Sequence, residues 1–117
     1  MSTTAHKWQV IDRATLKAKL DQKAPVQVWN VLTKEYYKPE MNIPTSQWIP
    51  VDTLTAQLAA EKAPKKDTMI VTYCGGWKCP SSKQAADKLA ALGYTNVWAY
   101  EGGLQDWTEG GFPVVKL

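Results

Sequence analysis

The feature that most constrains this chain is the run Thr68-Met69-Ile70-Val71-Thr72-Tyr73, followed at once by Cys74-Gly75-Gly76. The run is short, rich in β-branched residues and free of charge, which suits a buried strand. A helical pattern follows, with Ala85, Leu89 and Leu92 on one face of Ser81 to Leu92 and Gly93 placed as a C′ residue. A strand that passes through a glycine loop into a helix is the building unit of a parallel sheet.

The rest of the chain repeats that alternation. Trp8 to Ile11 reads as a first strand, and Asp12 as the N-cap of a helix reaching about Gln22, with Ile11 and Leu16 placed to form a hydrophobic staple. Pro25 ends that region, and the apolar run from Val26 to Leu32 reads as a second strand. Tyr36 to Pro44 holds two prolines and reads as a loop. Trp48-Ile49 suggests a short strand, with Asp52 or Thr53 capping a helix that carries Leu54, Leu58 and Ala59 to the stop at Ala63-Pro64. Asn96 to Tyr100 reads as a further strand, Gly102-Gly103 as a turn, Leu104 to Glu109 as a short helix, and Gly110-Gly111 as a break before Val114-Val115. Alternation of this kind predicts an α/β three-layer domain, a mainly parallel sheet with helices on both faces. Ligands of such sheets bind beyond the carboxyl ends of strands, and Cys74 stands at such an end.

Length and charge narrow the function. The 117 residues suit one domain, 1–117, with 1–6 expected to be a flexible N-terminus, and six Trp within 44% hydrophobic residues can fill a core. The net charge of +3 comes from scattered lysines, with Lys65-Lys66 the sole notable pair, so neither a nucleic-acid stripe nor a membrane patch forms. Met1 to His6 is polar and no apolar run of signal or membrane length follows, so the expected location is the cytoplasm. In a reducing compartment the pair Cys74 and Cys79 reads as catalytic, redox or metal-linked rather than as a structural staple.

The loop Cys74-Gly75-Gly76-Trp77-Lys78-Cys79-Pro80 carries the chemistry. Two glycines let the backbone curl with its amides inward, which makes an anion nest, and the helix N-terminus adds positive potential. Pro80 suits the first helical turn and Ser81 or Ser82 can cap it. The setting predicts a lowered pKa for Cys74, a thiolate nucleophile, and a persulfide held by the same amides, with Lys78 as an added point charge. The alternative is an inert buried thiol at a strand end. A zinc site needs about four ligands, whereas two Cys and His6 are present. A thioredoxin-type pair has two intervening residues where this chain has four. No metal or organic cofactor is expected. Cys79 is read either as a resolving partner of Cys74 or as a cysteine near a helix cap without contact to it, and Trp77 as a pocket rim or partner contact.

At this loop the sequence resembles the rhodanese family, and the likeness spans nearly the whole chain. Its carriers are Cys74 after a central strand, Leu92-Gly93-Tyr94-Thr95-Asn96-Val97-Trp98, Glu101-Gly102-Gly103-Leu104 with Trp107, Gly111-Phe112-Pro113-Val114, and upstream Asn42-Ile43-Pro44-Thr45-Ser46 with Trp48-Ile49-Pro50. The resemblance implies a rhodanese-like fold and a sulfurtransferase with Cys74 as the persulfide-carrying residue. Three departures stand out. The common Asp-Val-Arg is Asn30-Val31-Leu32, the usual His of the upstream box is Asn42, and the Arg that often stands five residues after the cysteine is Cys79. Arg clamps oxyanions bidentately, so its absence argues against efficient use of thiosulfate, and Pro80 in the place of a Cys-x5-Arg arginine argues against phosphatase or arsenate chemistry.

The expected activity is transfer of sulfane sulfur from thiosulfate, polysulfide or a persulfide through Cys74 to a thiol or cyanide, with Gly75, Gly76, Trp77, Lys78 and Cys79 around the bound sulfur. Expected partners are a small sulfur-containing anion or persulfide and a protein thiol acceptor. The competing expectation is a non-catalytic module of the same fold that carries persulfide or binds a protein partner.

Overall fold

A computed structural model describes residues 8–117. The expected flexible segment 1–6 and His6 lie outside the described residues.

Five strands form one sheet in the order β1-β5-β4-β2-β3, with every neighbouring pair parallel. They are β1 (Gln9–Val10), β2 (Val26–Asn30), β3 (Ser46–Trp48), β4 (Met69–Tyr73) and β5 (Val97–Tyr100). The helices are α1 (Arg13–Asp21), α2 (Ala56–Lys62), α3 (Ser81–Ala91) and α4 (Gly103–Glu109). Helix α1 carries the chain from β1 across the sheet to β2, whereas α2 and α3 carry it back, from β3 to β4 and from β4 to β5. Right-handed crossovers running in opposite directions lie on opposite faces, so α1 faces α2 and α3 across the sheet. Arg13 at the start of α1 reaches the Asp106 carbonyl (3.0 Å) and carboxylate (3.1 Å), which ties α4 to α1.

The uncharged run does lie at the centre, with β5 on one side and β2 on the other, and Ile70 through Tyr73 are buried. Coverage of both faces is why no polar alternation shows in that strand. One apolar core runs through the molecule, with Leu16, Trp29, Ile43, Leu89 and Trp107 fully buried. Asp12 caps α1 as expected, its carboxylate accepting from the Thr15 amide at 2.8 Å, and Ile11 and Leu16 are both buried.

Several boundaries differ from expectation. Strand β2 stops at Asn30, whose side-chain oxygen accepts from the Leu32 amide at 3.1 Å and turns the chain away. Strand β3 is Ser46–Trp48 rather than Trp48-Ile49. Neither Asp52 nor Thr53 caps α2. The Ile49 amide donates to the Asn30 carbonyl (2.9 Å) and the Val51 amide to that of Val31 (3.1 Å). Those bonds hold the chain against β2, so it makes a 3₁₀ turn over Val51–Thr53 and starts the helix only after Thr55, whose hydroxyl accepts from the Leu58 amide. Nor does Ser81 or Ser82 cap α3; Pro80 holds the N-cap position without a side-chain cap.

Candidate functional site

Cys74 is the first residue past β4, at the carboxyl edge of the sheet. The loop that follows is held from a direction the sequence did not suggest. The Leu104 amide donates to the Cys74 carbonyl (3.0 Å) and the Gln105 amide to the Gly75 carbonyl (2.9 Å), so the first turn of α4 is satisfied by the loop itself. This approach requires Gly103, at φ +56°. A Cβ there would overlap the Cys74 carbonyl oxygen and lie 2.9 Å from its carbon and 3.0 Å from the Gly76 nitrogen. Further along, the Cys79 amide donates to the Gly76 carbonyl at 3.1 Å and closes a tight turn. Among the described residues the amides of Gly76, Trp77 and Lys78 donate to no protein acceptor. The Cys79 amide, expected in the nest, is spent on the turn instead.

Cys74, expected to be reachable, is fully buried at 0% exposure, and Cys79 is half-buried. Both are free thiols. The Cys74 thiol donates to the Cys79 carbonyl oxygen at 3.4 Å. Burial first, then the hydrogen bond to Cys79 and repulsion from its charge, push Cys74 up to about 11, against which the Ser82 amide and hydroxyl work only in part. The expected lowering of the Cys74 pKa is thus corrected. Desolvation at the end of a strand buried on both faces exceeds what the remaining donors supply. Cys79 moves the other way. Burial raises it, but the hydrogen bond from the Cys74 thiol, the amides of Ser81 and Gly75 and the Ser81 hydroxyl together bring it below its ordinary value. Cys79 is thus the more acidic of the two thiols, and the Cys74 sulfur touches its backbone.

Ser82 was missed as a site residue by sequence reasoning, which read it as a cap. Its hydroxyl is buried without a hydrogen-bond partner, and Ser82 is among the residues that work against the rise of the Cys74 pKa. Its backbone carbonyl accepts from the buried Thr72 hydroxyl at 2.8 Å, which pins the start of α3 to β4. Its spacing in α3 resembles that of the other inward positions, the one sequence signal that marks it.

The model of the Rhodanese-like domain matches residues 12–110. The chain belongs to the rhodanese-like domain family. Among solved structures it is similar to the BH2092 protein of Bacillus halodurans, at 30% identity over 92% of this chain and 77% of that one, with a TM-score of 0.82. It shares its fold with a thiosulfate sulfurtransferase of Pseudomonas aeruginosa (24% identity, 93% of this chain, 20% of that one, TM-score 0.80). The fold also matches the human single-domain sulfurtransferase TSTD1 (21% identity, 86% of this chain, 95% of that one, TM-score 0.66). No curated protein matches the sequence.

In this rhodanese-like domain two of the departures from the common family residues answer each other. The Asn30 amide donates to the Asn42 side-chain oxygen at 2.9 Å, both fully buried, so a neutral pair stands at these two positions. Nearby, the buried Tyr73 hydroxyl accepts from the Ile43 amide (3.1 Å) and bonds Ser46 (2.7 Å), and desolvation pushes it up to about 12. These bonds fix the loop before β3, which forms one wall of a cleft of about 1140 Å³ over the cysteine loop.

The cleft is lined by Gly75, Gly76, Trp77, Lys78 and Cys79 on one side and by Leu32, Tyr36, Met41 and Leu104 on others. Cys74 does not line it. Trp77 is 54% exposed and is among the residues that line the cleft. Lys78 and Lys38 are the two cations of the lining. Arg13, the one arginine of the chain, is tied to Asp106 and so does not stand in for the arginine that the loop lacks. Among the described residues no helix is long and apolar enough to cross a membrane.

Proposed function

We propose that this domain is a sulfurtransferase that moves sulfane sulfur through a persulfide on Cys74 to a thiol or cyanide acceptor. The observation that carries the reading is a cysteine loop at the carboxyl edge of the sheet whose residues line a cleft and whose Gly76, Trp77 and Lys78 amides donate to no protein acceptor among the described residues. In the first half-reaction the thiolate attacks the outer sulfur of the donor, the donor's S–S bond breaks, and the leaving thiolate (sulfite, for thiosulfate) departs. In the second, an acceptor thiolate or cyanide attacks the outer sulfur of the persulfide and the enzyme thiolate is restored. Free amides and Lys78 offer hydrogen bonds and charge to the anionic sulfur and to the leaving group. Without an arginine clamp, organic persulfides and polysulfides are the better donors than thiosulfate.

The test is turnover. The domain is incubated with glutathione persulfide or thiosulfate, and product formation is followed with cyanide or a thiol acceptor. Turnover is expected to be faster with the persulfide and to vanish in Cys74→Ser. The burial of Cys74 favours a second reading, a non-catalytic carrier or protein-binding module that meets its partner at Trp77 and Tyr36, which is 68% exposed. Absence of turnover with every donor, with a partner still bound, would select it.

A further inference from the structure

The contact between the two cysteines gives the site a property beyond transfer. We infer that Cys74 and Cys79 form a resolving couple, so that sulfur loaded in the absence of an acceptor leaves as hydrogen sulfide and closes a Cys74–Cys79 disulfide. The inference rests on the persulfide reading above.

The geometry supplies each requirement. The Cys74 sulfur lies 3.4 Å from the Cys79 carbonyl oxygen, which sets the two cysteine residues side by side across the loop. Cys79 is the more acidic of the two thiols, below its ordinary value where burial holds Cys74 above its own. Cys79 lines the cleft and Cys74 does not, so a small leaving anion has an exit beside the attacking sulfur.

The step balances. The Cys79 thiolate attacks the inner sulfur of the Cys74 persulfide, the bond to the outer sulfur breaks, and that sulfur takes the electron pair and departs as hydrosulfide. The sulfane sulfur is reduced to the sulfide level while the two cysteine sulfurs are oxidised to a disulfide. If the donor loads Cys79 first, attack by Cys74 on the Cys79 inner sulfur gives the same disulfide and the same hydrosulfide. The outcome therefore does not depend on which cysteine meets the donor. Because the attacking sulfur is held in place, resolution competes with an external acceptor by effective concentration. A saturating acceptor keeps the cycle turning, and a starved site closes until a dithiol reductant reopens it.

The experiment loads reduced protein with one equivalent of glutathione persulfide under anaerobic conditions, without acceptor. It measures intact mass and released sulfide in the wild type, Cys79→Ser and Cys74→Ser. Expected in the wild type are about one sulfide per chain and a mass two hydrogens lower, restored by dithiothreitol, with sulfide yield falling as cyanide is added. Cys79→Ser is expected to hold a stable gain of one sulfur on Cys74 and to release no sulfide. A wild type that keeps the added sulfur and stays free of disulfide overturns the inference but leaves sulfurtransfer standing. A wild type and Cys79→Ser that both fail to gain sulfur or release sulfide overturn both. Sulfide release that persists in Cys79→Ser also overturns the resolving role.

Discussion

Gly103→Ala offers the sharpest test of how the cysteine loop is built, because the same chain contains a matched control. Gly103 (φ +56°) and Gly111 (φ +74°) both sit in the left-handed region. Alanine there costs roughly 1–2 kcal/mol of backbone strain at either position. At Gly111 nothing lies within 4 Å of the added Cβ, so the cost should stop there. At Gly103 the methyl overlaps the Cys74 carbonyl oxygen and crowds the Gly76 nitrogen at 3.0 Å, and both of these atoms are backbone. The loop must move away from α4, which breaks or stretches the bonds from the Leu104 and Gln105 amides. Two such bonds at about 0.5–1.5 kcal/mol each, more where a group is left buried and unpaired, add roughly 1–3 kcal/mol. Gly103→Ala should thus lose about 2–5 kcal/mol and Gly111→Ala about 1–2 kcal/mol, out of a total stability of the order of 5–15 kcal/mol. At about 4 °C per kcal/mol, the expected fall in melting temperature is roughly 8–20 °C for Gly103→Ala. Denaturant unfolding followed by tryptophan fluorescence reads the difference, and sulfur loading by mass reads the site. Equal stabilities for the two variants, with wild-type loading in Gly103→Ala, would refute the claim that α4 braces the loop.

Three further outcomes are expected. Cys79 should alkylate before Cys74 in iodoacetamide at pH 8, its rate levelling off at lower pH, while the Cys74 rate keeps rising towards pH 11; trypsin cutting after Lys78 separates the two cysteines for mass analysis, and faster labelling of Cys74 would contradict the placement. Ser82→Ala removes a buried, unpartnered hydroxyl from a residue that works against the rise of the Cys74 pKa; it should leave stability nearly unchanged and slow sulfur loading about ten- to a hundredfold, the worth of a hydrogen bond to a thiolate, and unchanged loading kinetics would remove Ser82 from the site. Asn30→Asp would set a carboxylate against the Asn42 side-chain oxygen in a fully buried place. Its folded pKa then lies above the unfolded one, so the folded state binds more protons and stability falls as pH rises; a loss of about 1–3 kcal/mol at pH 7 that shrinks towards pH 4 is expected in urea titrations, and a pH-independent loss would argue against it.

The particular elements show which kinds of information were legible. The Asp12 cap and the β4 run were legible because each depends on residues within a few positions, a carboxylate placed three residues before a helical amide or an unbroken set of apolar side chains. The start of α2 was not. Asp52, Thr53 and Thr55 are all competent caps, and the choice among them falls to the bonds that the Ile49 and Val51 amides make with β2, some twenty residues away in sequence. The Rhodanese-like family was readable from the order of its motifs, and the match over residues 12–110 agrees.

By itself the sequence determined the alternation of strand and helix, hence a parallel α/β sheet, and the position of Cys74 at the carboxyl end of its central strand, since both are consequences of local periodicity and chain order. Only the tertiary structure decided which thiol is shielded and which faces the cleft. That outcome depends on Leu104, Gln105, Ser81 and Ser82 being brought against the loop from two separate helices. A sulfur's readiness to ionise reflects the water it has lost and the donors it has gained. Both are properties of packing between distant segments, and neither is recorded in the residues beside it.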